Sequence, residues 1–219
     1  MTLTPPEQAA PAYPGLRIED HVGVCGVRDD TTALAEAAAA LGAPGSALDM
    51  GTGSGFVALY LAQRGWQVDA TDVSQRALDL ARRNAARNGL DVRFYPSDLF
   101  AQVTGKYDVI AFNPPMRPDE NEFSRLVTSV LRRSPRLSGL LMRTVGHFFE
   151  QGRHVFLAHV LAEARGRLNP GGSVLMGISQ EEARDLDALP GVRLVRMTPI
   201  PSMERQEVCQ FQFDEGTGL

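Results

Sequence analysis

The chain has 219 residues, of which 43% are hydrophobic and 22% are charged, and its formal net charge is −4. This length and composition are typical of one globular domain with a hydrophobic core, and they exclude disordered, collagen-like and coiled-coil chains. The acidic balance argues against binding to bulk nucleic acid or anionic lipid. The 2 cysteines and 4 histidines form neither a disulfide framework nor a spacing typical of a metal site, so we expect no metal.

Short apolar segments alternate with helical patterns along the chain. In chain order we predict helix 29–41 (capped by residues 29–31), strand 46–50, helix 56–64, strand 67–71, helix 74–88, strand 91–95, strand 107–112, helix 154–168, and strands 173–178, 192–197 and 207–213. Strands joined by helices imply right-handed crossovers and a parallel sheet covered on both faces. Only a short loop separates the last two strands, so we predict that the final strand runs antiparallel.

The predicted fold is α/β: a seven-stranded, doubly wound, Rossmann-like sheet, mostly parallel, with helices on both faces. We expect residues 1–44 to form a lead-in and a capping helix, and residues 45–219 a single domain with a substrate-side insertion at about 116–153. No apolar stretch approaches the roughly 18 residues of a membrane span. The N-terminus lacks the basic start and apolar run of a signal peptide. We therefore expect a cytoplasmic protein without membrane contact.

The strongest local pattern is LDMGTGSG at residues 48–55, directly after the first predicted strand. Gly51, Gly53 and Gly55 allow a tight turn and the close approach of a ligand, and the following helix points its free N–H groups toward that ligand. Residue 56 is Phe, so the segment does not match the G-x-G-x-x-G pattern of dinucleotide-binding loops. An ordinary strand-to-helix turn remains the alternative at this point.

Polar residues follow the next three predicted strands. Asp72 can accept both hydroxyls of a ribose, Asp98 can accept from an adenine amino group, and Asn113 begins an Asn-Pro-Pro segment. Taken singly, each has a plain explanation as a cap, a turn residue or a loop. Because the carboxyl ends of parallel strands meet at one edge of a sheet, the set predicts a shared binding site there.

With these motifs the chain resembles the class I S-adenosylmethionine-dependent methyltransferases that carry an N/D-P-P-aromatic motif. Within that group it is most similar to the release-factor glutamine methyltransferases and their ribosomal-RNA guanine N2 relatives. The resemblance covers roughly residues 20–213. The matching segments are 27–31, 48–55, 72–74, 97–100, 113–115 and 168–172.

The resemblance implies S-adenosylmethionine as methyl donor and S-adenosylhomocysteine as product. It implies that Gly51, Gly53 and Gly55 face the methionine part, Asp72 the ribose, and Asp98 with the Leu99 backbone the adenine. The implied cofactor-binding set also includes Asp49, Thr52 and Asn113. The implied catalytic residues are Asn113, Pro114 and Pro115. The substrate candidates are Arg28, Thr31, Met116, Arg132 and Arg133.

The Asn-Pro-Pro segment indicates a nitrogen acceptor on physical grounds. An amide or aryl-amine nitrogen is a poor nucleophile because its lone pair is conjugated, and its N–H groups become acidic as it pyramidalises. The side-chain oxygen of Asn113 and the carbonyl of Pro114 stabilise that state more than the planar ground state. Pro114 and Pro115 contribute no N–H that would compete for these acceptors. No metal or covalent intermediate is required.

We therefore predict an N-methyltransferase that acts on an amide, guanidine or amine nitrogen of a protein (glutamine-type) or small molecule. The alternative is an exocyclic nucleobase nitrogen in RNA or DNA. The acidic balance and Met116, which stands where the family usually has an aromatic residue, disfavour nucleic acid, and the arginines in 125–143 favour it. Those arginines form either a solvated helical face or a cationic substrate rim. Two other classes of function are left as alternatives: a non-catalytic subunit that binds the cofactor, and a nicotinamide-dependent dehydrogenase.

Overall fold

A computed structural model of the chain describes residues 15–24, 26–114 and 152–214. The helices are α1 (Asp29–Ala39), α2 (Phe56–Ala62), α3 (Gln75–Asn88), α4 (Gly152–Arg165) and α5 (Gln180–Asp187). The strands are β1 (Ser46–Met50), β2 (Gln67–Asp72), β3 (Arg93–Pro96), β4 (Tyr107–Phe112), β5 (Leu168–Ser179), β6 (Val192–Ile200) and β7 (Met203–Phe213). The predicted insertion lies almost wholly outside the described residues.

The seven strands form one sheet in the order β3-β2-β1-β4-β5-β7-β6. Strands β1 to β5 pair in parallel, whereas β7 runs antiparallel to both β5 and β6. The predicted fold class and the antiparallel last strand are confirmed. After β3 the chain crosses β1 and β2 to form β4, so the strand order reverses between β1 and β4. Ligands of open α/β sheets bind beyond the carboxyl ends of the strands at such a point.

Alternate residues of the central strands point into two separate hydrophobic cores. Ala47 and Val109 pack on one face with the apolar sides of α1 and α2. Leu48 and Ile110 pack on the other face with α4 and α5. Because both faces are covered, the central parallel strands are buried, and the packing of the two cores determines where their carboxyl ends lie. Among the helices of the described ranges, none is long and apolar enough to cross a membrane.

Three local predictions were wrong. Arg28 stands at the N-cap position of α1, so Asp29 and Asp30 lie in its first turn instead of capping it. Residues 169–172, predicted to be a break between helix 154–168 and strand 173–178, lie within β5, where a register shift against β4 accommodates them. Helix α5 was not predicted, although Ser179 and Glu182 form a capping box at its start.

The lead-in before α1 is held by two asparagines one turn apart on α3. Asn84 is fully buried; it accepts a hydrogen bond from the Glu19 N–H (2.8 Å) and donates to the carbonyls of Glu19 (3.1 Å) and Ser54 (2.9 Å). Asn88 makes the equivalent pair of bonds to the backbone of Arg17, at 2.8 and 2.9 Å. The side chain of Asn84 therefore joins the lead-in to the turn that follows β1.

We expect Asn84→Ala to lower the free energy of unfolding by about 2–4 kcal/mol, because three backbone groups lose their partner at a buried position. Asn88→Ala is the matched control, since its side chain is only half-buried and the freed groups can bind water; we expect a loss of about 1 kcal/mol. Urea unfolding of both variants measures the difference. Equal losses would contradict a special role for the buried amide.

Candidate active site

A cavity of about 370 Å³ lies at the carboxyl ends of β1, β2 and β4, where the strand order reverses. We call it the switch-point cavity. It brings together nine of the residues singled out from the sequence: Arg28, Thr31, Asp49, Gly51, Thr52, Gly53, Asp72, Asn113 and Pro114. Pro115, Met116, Arg132 and Arg133 lie outside the described residues.

The turn between β1 and α2 requires its glycines because of their backbone angles. Gly51, Gly53 and Gly55 have φ values of +70°, +54° and +87°, in the region where a side chain is strained. A Cβ added at Gly55 would also lie 2.9 Å from the Cβ of Ala81 on α3. Gly51 and Gly53 line the switch-point cavity, whereas Gly55 serves the close packing of two helices.

Asp49 lies beneath this turn and binds residues on both sides of it. Its carboxylate is 3% exposed and accepts hydrogen bonds from Thr52 Oγ1 (2.6 Å) and from the Ala58 N–H in α2 (3.1 Å). Burial raises the pKa of Asp49 to about 6; the charge of Asp72 adds to this increase, and the two hydrogen bonds oppose it. A carboxylate that costs free energy to ionise therefore lines the cavity.

Asp72 ties the turn to the next βα connection. One of its oxygens accepts from the Gly53 N–H at 3.0 Å, and the other accepts from the Ser74 N–H at 2.8 Å. Ser74 in turn caps α3, since its hydroxyl accepts from the Ala77 N–H. Each carboxylate oxygen can accept a further hydrogen bond. Asp72 thus orders the turn and retains acceptor capacity toward the cavity.

Asn113 follows β4 directly and lines the cavity beside Pro114. Its Oδ1 lies against the backbone of β5, since a Cβ added at Gly177 would be 2.9 Å from that oxygen. The Asn113 side chain also interacts with Asp30, a buried carboxylate in the first turn of α1. Burial opposes the ionisation of Asp30, but its interactions with the Asn113 amide and with the Arg28 guanidinium hold its pKa below the ordinary value.

Asp98 and Leu99 are not brought into the lining of the switch-point cavity. Asp98 is exposed, and both residues line a separate depression together with His159 and Arg167. Leu99 has a positive φ of 47°, and its carbonyl accepts from the Ser97 hydroxyl at 2.8 Å. This loop is locally fixed, and its role toward an adenine stays a prediction.

The sequence interpretation missed the wall that the lead-in contributes to the cavity. Gly23, Val24 and Gly26 line it together with Arg28. The one sequence signal that we find for this wall is the spacing of Asn84 and Asn88, which lie one turn apart on α3. Two amides at this spacing can bind the backbone of an extended segment, as they do here with Arg17 and Glu19. The interaction of Asp30 with Asn113 was also missed, since an acid at the start of a helix is normally explained as a dipole or capping residue.

Comparison with known proteins gives a match to the methyltransferase small domain family over residues 22–141. The release factor glutamine methyltransferase of Streptococcus pneumoniae is 46% identical over 95 residues, which are 42% of this chain and 34% of that protein. The ribosomal RNA small subunit methyltransferase C of Alcanivorax borkumensis is 34% identical over 132 residues, 59% of this chain and 39% of that protein. The chain thus covers little more than a third of the length of these relatives.

Among solved structures, the ribosomal protein L11 methylase of Lactobacillus delbrueckii subsp. bulgaricus superimposes with a TM-score of 0.65. The superposition covers 91% of this chain and 86% of that chain, at 21% sequence identity. At this identity the likeness concerns the fold.

The pKa of Asp49 predicts how stability depends on pH. The folded value of about 6 lies above the ordinary value of 3.8. Between these values the folded state binds more protons than the unfolded state, so this carboxyl lowers stability as pH rises through the window. Asp49→Asn removes that cost and retains one oxygen for both donors. We expect the variant to exceed the parent in free energy of unfolding by about 1–3 kcal/mol above pH 6.

Urea unfolding of both proteins at several pH values tests this expectation. The difference should shrink as the pH falls toward 4 and the parent carboxyl becomes protonated, since the two side chains are then both neutral. Comparing variant with parent cancels the titration of the other acids. A difference that is constant over the whole range would mean that Asp49 does not titrate near pH 6.

Proposed function

The chain belongs to the methyltransferase small domain family, and from this membership we propose that it is an S-adenosylmethionine-dependent N-methyltransferase. The observation that carries the proposal is the position of Asn113 and Pro114, which line the same cavity as the glycine turn and Asp72. A donor bound on the turn and a nitrogen held by Asn113 would therefore share one space.

The charges and the size of the switch-point cavity fit the proposed cofactor. Its volume of about 370 Å³ lies in the range of ligand pockets, roughly 300–1,000 Å³. The cofactor carries a sulfonium and an ammonium group, and Asp49 and Asp72 place two carboxylates at the cavity. We propose that Asp49, Thr52 and the glycine turn hold the methionine part and that Asp72 accepts from the ribose. When bound, the cofactor supplies an electrophilic methyl group.

The residues at the end of β4 would prepare the acceptor nitrogen. An amide nitrogen becomes a nucleophile only as its lone pair leaves conjugation, and its N–H groups then become stronger donors. The Oδ1 of Asn113 and the carbonyl of Pro114 would accept those N–H groups and stabilise the pyramidal nitrogen more than the planar one. Holding the nitrogen in line with the methyl group contributes about 7–11 kcal/mol when the geometry is good.

We propose an amide, guanidine or amine nitrogen on a protein (glutamine-type) or small molecule as the acceptor. The similarity to a release factor glutamine methyltransferase supports this choice. The second candidate is an exocyclic nucleobase nitrogen, which the similarity to a ribosomal RNA methyltransferase favours. The substrate roles of Arg28 and Thr31, which line the cavity, and a cytoplasmic location are further parts of this proposal.

The ribose contact is tested with two ligands, S-adenosylhomocysteine and its 2′-deoxyribose analogue. In the parent we expect the deoxy analogue to bind more weakly by about 1.5–3 kcal/mol, because a hydroxyl-to-carboxylate bond is lost. In Asp72→Ala the two ligands should bind alike. Asp79→Ala, at an exposed acid on α3, is the control that should keep the parent's discrimination. Calorimetry measures all six affinities.

An Asp72→Ala variant that binds both ligands more weakly but still distinguishes them would contradict the ribose contact. Asp72 would then act only by holding Gly53 and Ser74.

The acceptor site is tested with Asn113→Ala and Asn113→Asp. We expect the Ala variant to bind cofactor normally and to lose turnover by about 10²–10³-fold, as when an oxyanion-hole donor is deleted. The Asp variant retains an acceptor oxygen and should keep more activity. Deuteromethyl-labelled cofactor, incubated with a bacterial release factor or small-subunit ribosomal RNA, gives the readout by mass spectrometry.

Equal inactivity of both Asn113 variants, with cofactor binding intact, would refute the acceptor function of Oδ1. An Ala variant with the parent's turnover would exclude the nitrogen acceptor itself.

A further inference from the structure

Asp30 is a buried carboxylate whose surroundings differ from those of a helix cap. It is 2% exposed, and its two oxygens accept from the Arg28 guanidinium (2.8 Å) and from the Thr31 N–H (2.8 Å). Arg28 and Thr31 both line the switch-point cavity, and so does the third partner, Asn113. Asp30 therefore connects three cavity residues that come from two separate elements.

The chemistry of a carboxylate decides which end of Asn113 faces it. An ionised carboxylate only accepts hydrogen bonds, so the Asn113 amide must present its N–H groups to Asp30. The amide oxygen then points away from Asp30. In the structure Oδ1 is the end of the amide that lies toward β5, 2.9 Å from the position that a Cβ at Gly177 would occupy and nearer to it than the Asn113 Cγ at 3.7 Å.

We propose that Asp30 is a positioning residue that fixes the orientation of the Asn113 amide, so that its oxygen rather than its nitrogen is available to the acceptor nitrogen. This inference rests on the proposed N-methyltransferase function. A flipped amide would present N–H groups to the N–H groups of the substrate, and the site would then repel the group that it must hold. The Arg28 guanidinium keeps Asp30 ionised, and Gly177 leaves room for the correct rotamer.

The neighbouring acid argues against a purely helical role. Asp29 occupies the first turn of the same helix and is exposed, so it already provides a favourable charge at the positive end of the helix dipole. Burying a second carboxylate beside it costs free energy of desolvation. The helix dipole does not explain why Asp30 is buried, whereas its contact with Asn113 does.

The test is a cycle of Asp30→Asn, Asn113→Asp and the double variant, with Asp29→Asn as the control. Asp30→Asn lets the Asn113 amide flip and should lower kcat by about 10²-fold, the cost typical of a misplaced reacting group, with cofactor affinity unchanged. Asn113→Asp places two carboxylates side by side. In that background Asp30→Asn should raise kcat, because the amide and carboxylate have exchanged positions. Asp29→Asn should match the parent.

A substitution that lowers kcat in the parent and raises it in the Asn113→Asp background is not expected of a residue that only stabilises the fold. If Asp30→Asn lowers kcat equally in both backgrounds, or leaves it unchanged in the parent, the positioning function is refuted. The acceptor is a bacterial release factor or small-subunit ribosomal RNA, whichever the parent labels.

A second readout does not depend on activity. The side-chain amide signals of Asn113 in an NMR spectrum should shift in Asp30→Asn and stay in place in Asp29→Asn. Unchanged signals in Asp30→Asn would overturn the inference. If the signals shift but the parent labels neither acceptor, the contact is established and the proposed function is the part that fails.

Discussion

The turn between β1 and α2 contains three left-handed glycine backbones, and two carboxylates hold it in place. Asp49 accepts from Thr52 and from the N–H of Ala58 in α2, and Asp72 accepts from the N–H of Gly53. Without these acceptors the N–H groups of Gly53 in the turn and of Ala58 in the first turn of α2 would lose their side-chain partners, at a cost of about 1–3 kcal/mol each where the group is buried. The shape of the switch-point cavity depends on this arrangement.

The same carboxylates set the electrostatics of the cavity. Burial of the ionised Asp49 costs free energy of desolvation, and the pKa of this carboxyl is raised for that reason. An amide could satisfy the same two donors, so hydrogen bonding alone does not explain the charge. A cationic ligand would compensate for the cost of the charge when it binds. This relation between a destabilising charge and a positively charged cofactor joins the stability of the fold to the proposed chemistry.

Much of the fold was predictable because the parallel strands are short, apolar and separated by clear caps. Ser74 and Gly89 cap α3 at its two ends, in agreement with the predicted helix 74–88. Helix α5 was missed because only 8 residues separate β5 from the next loop, too few for a convincing helical period. The segment 169–172 was misassigned because Pro and Gly normally end an element, whereas here a register shift against β4 absorbs them.

The lining of the switch-point cavity was predictable where residues follow strands, since strand ends converge on one edge. Nine of the residues singled out in the sequence line the cavity. Asp30 and Asn84 were not recognised, because their partners lie 83 and 65 residues away along the chain and no local pattern records such contacts. Asp98 follows a strand like the others, but the loop after β3 leaves it exposed. The position of a residue directly after a strand therefore predicts at which edge of the sheet it lies, but it does not predict whether its side chain lines the cavity.

A crystal structure of the chain with S-adenosylhomocysteine is the most direct test of the central claim that the carboxylate-held turn is a cofactor site. The account predicts the ligand in the switch-point cavity, with its ribose hydroxyls on Asp72, its amino-acid part along the glycine turn, and its sulfur directed toward Asn113. A ligand bound in another cavity, or with its ribose away from Asp72, would contradict the account.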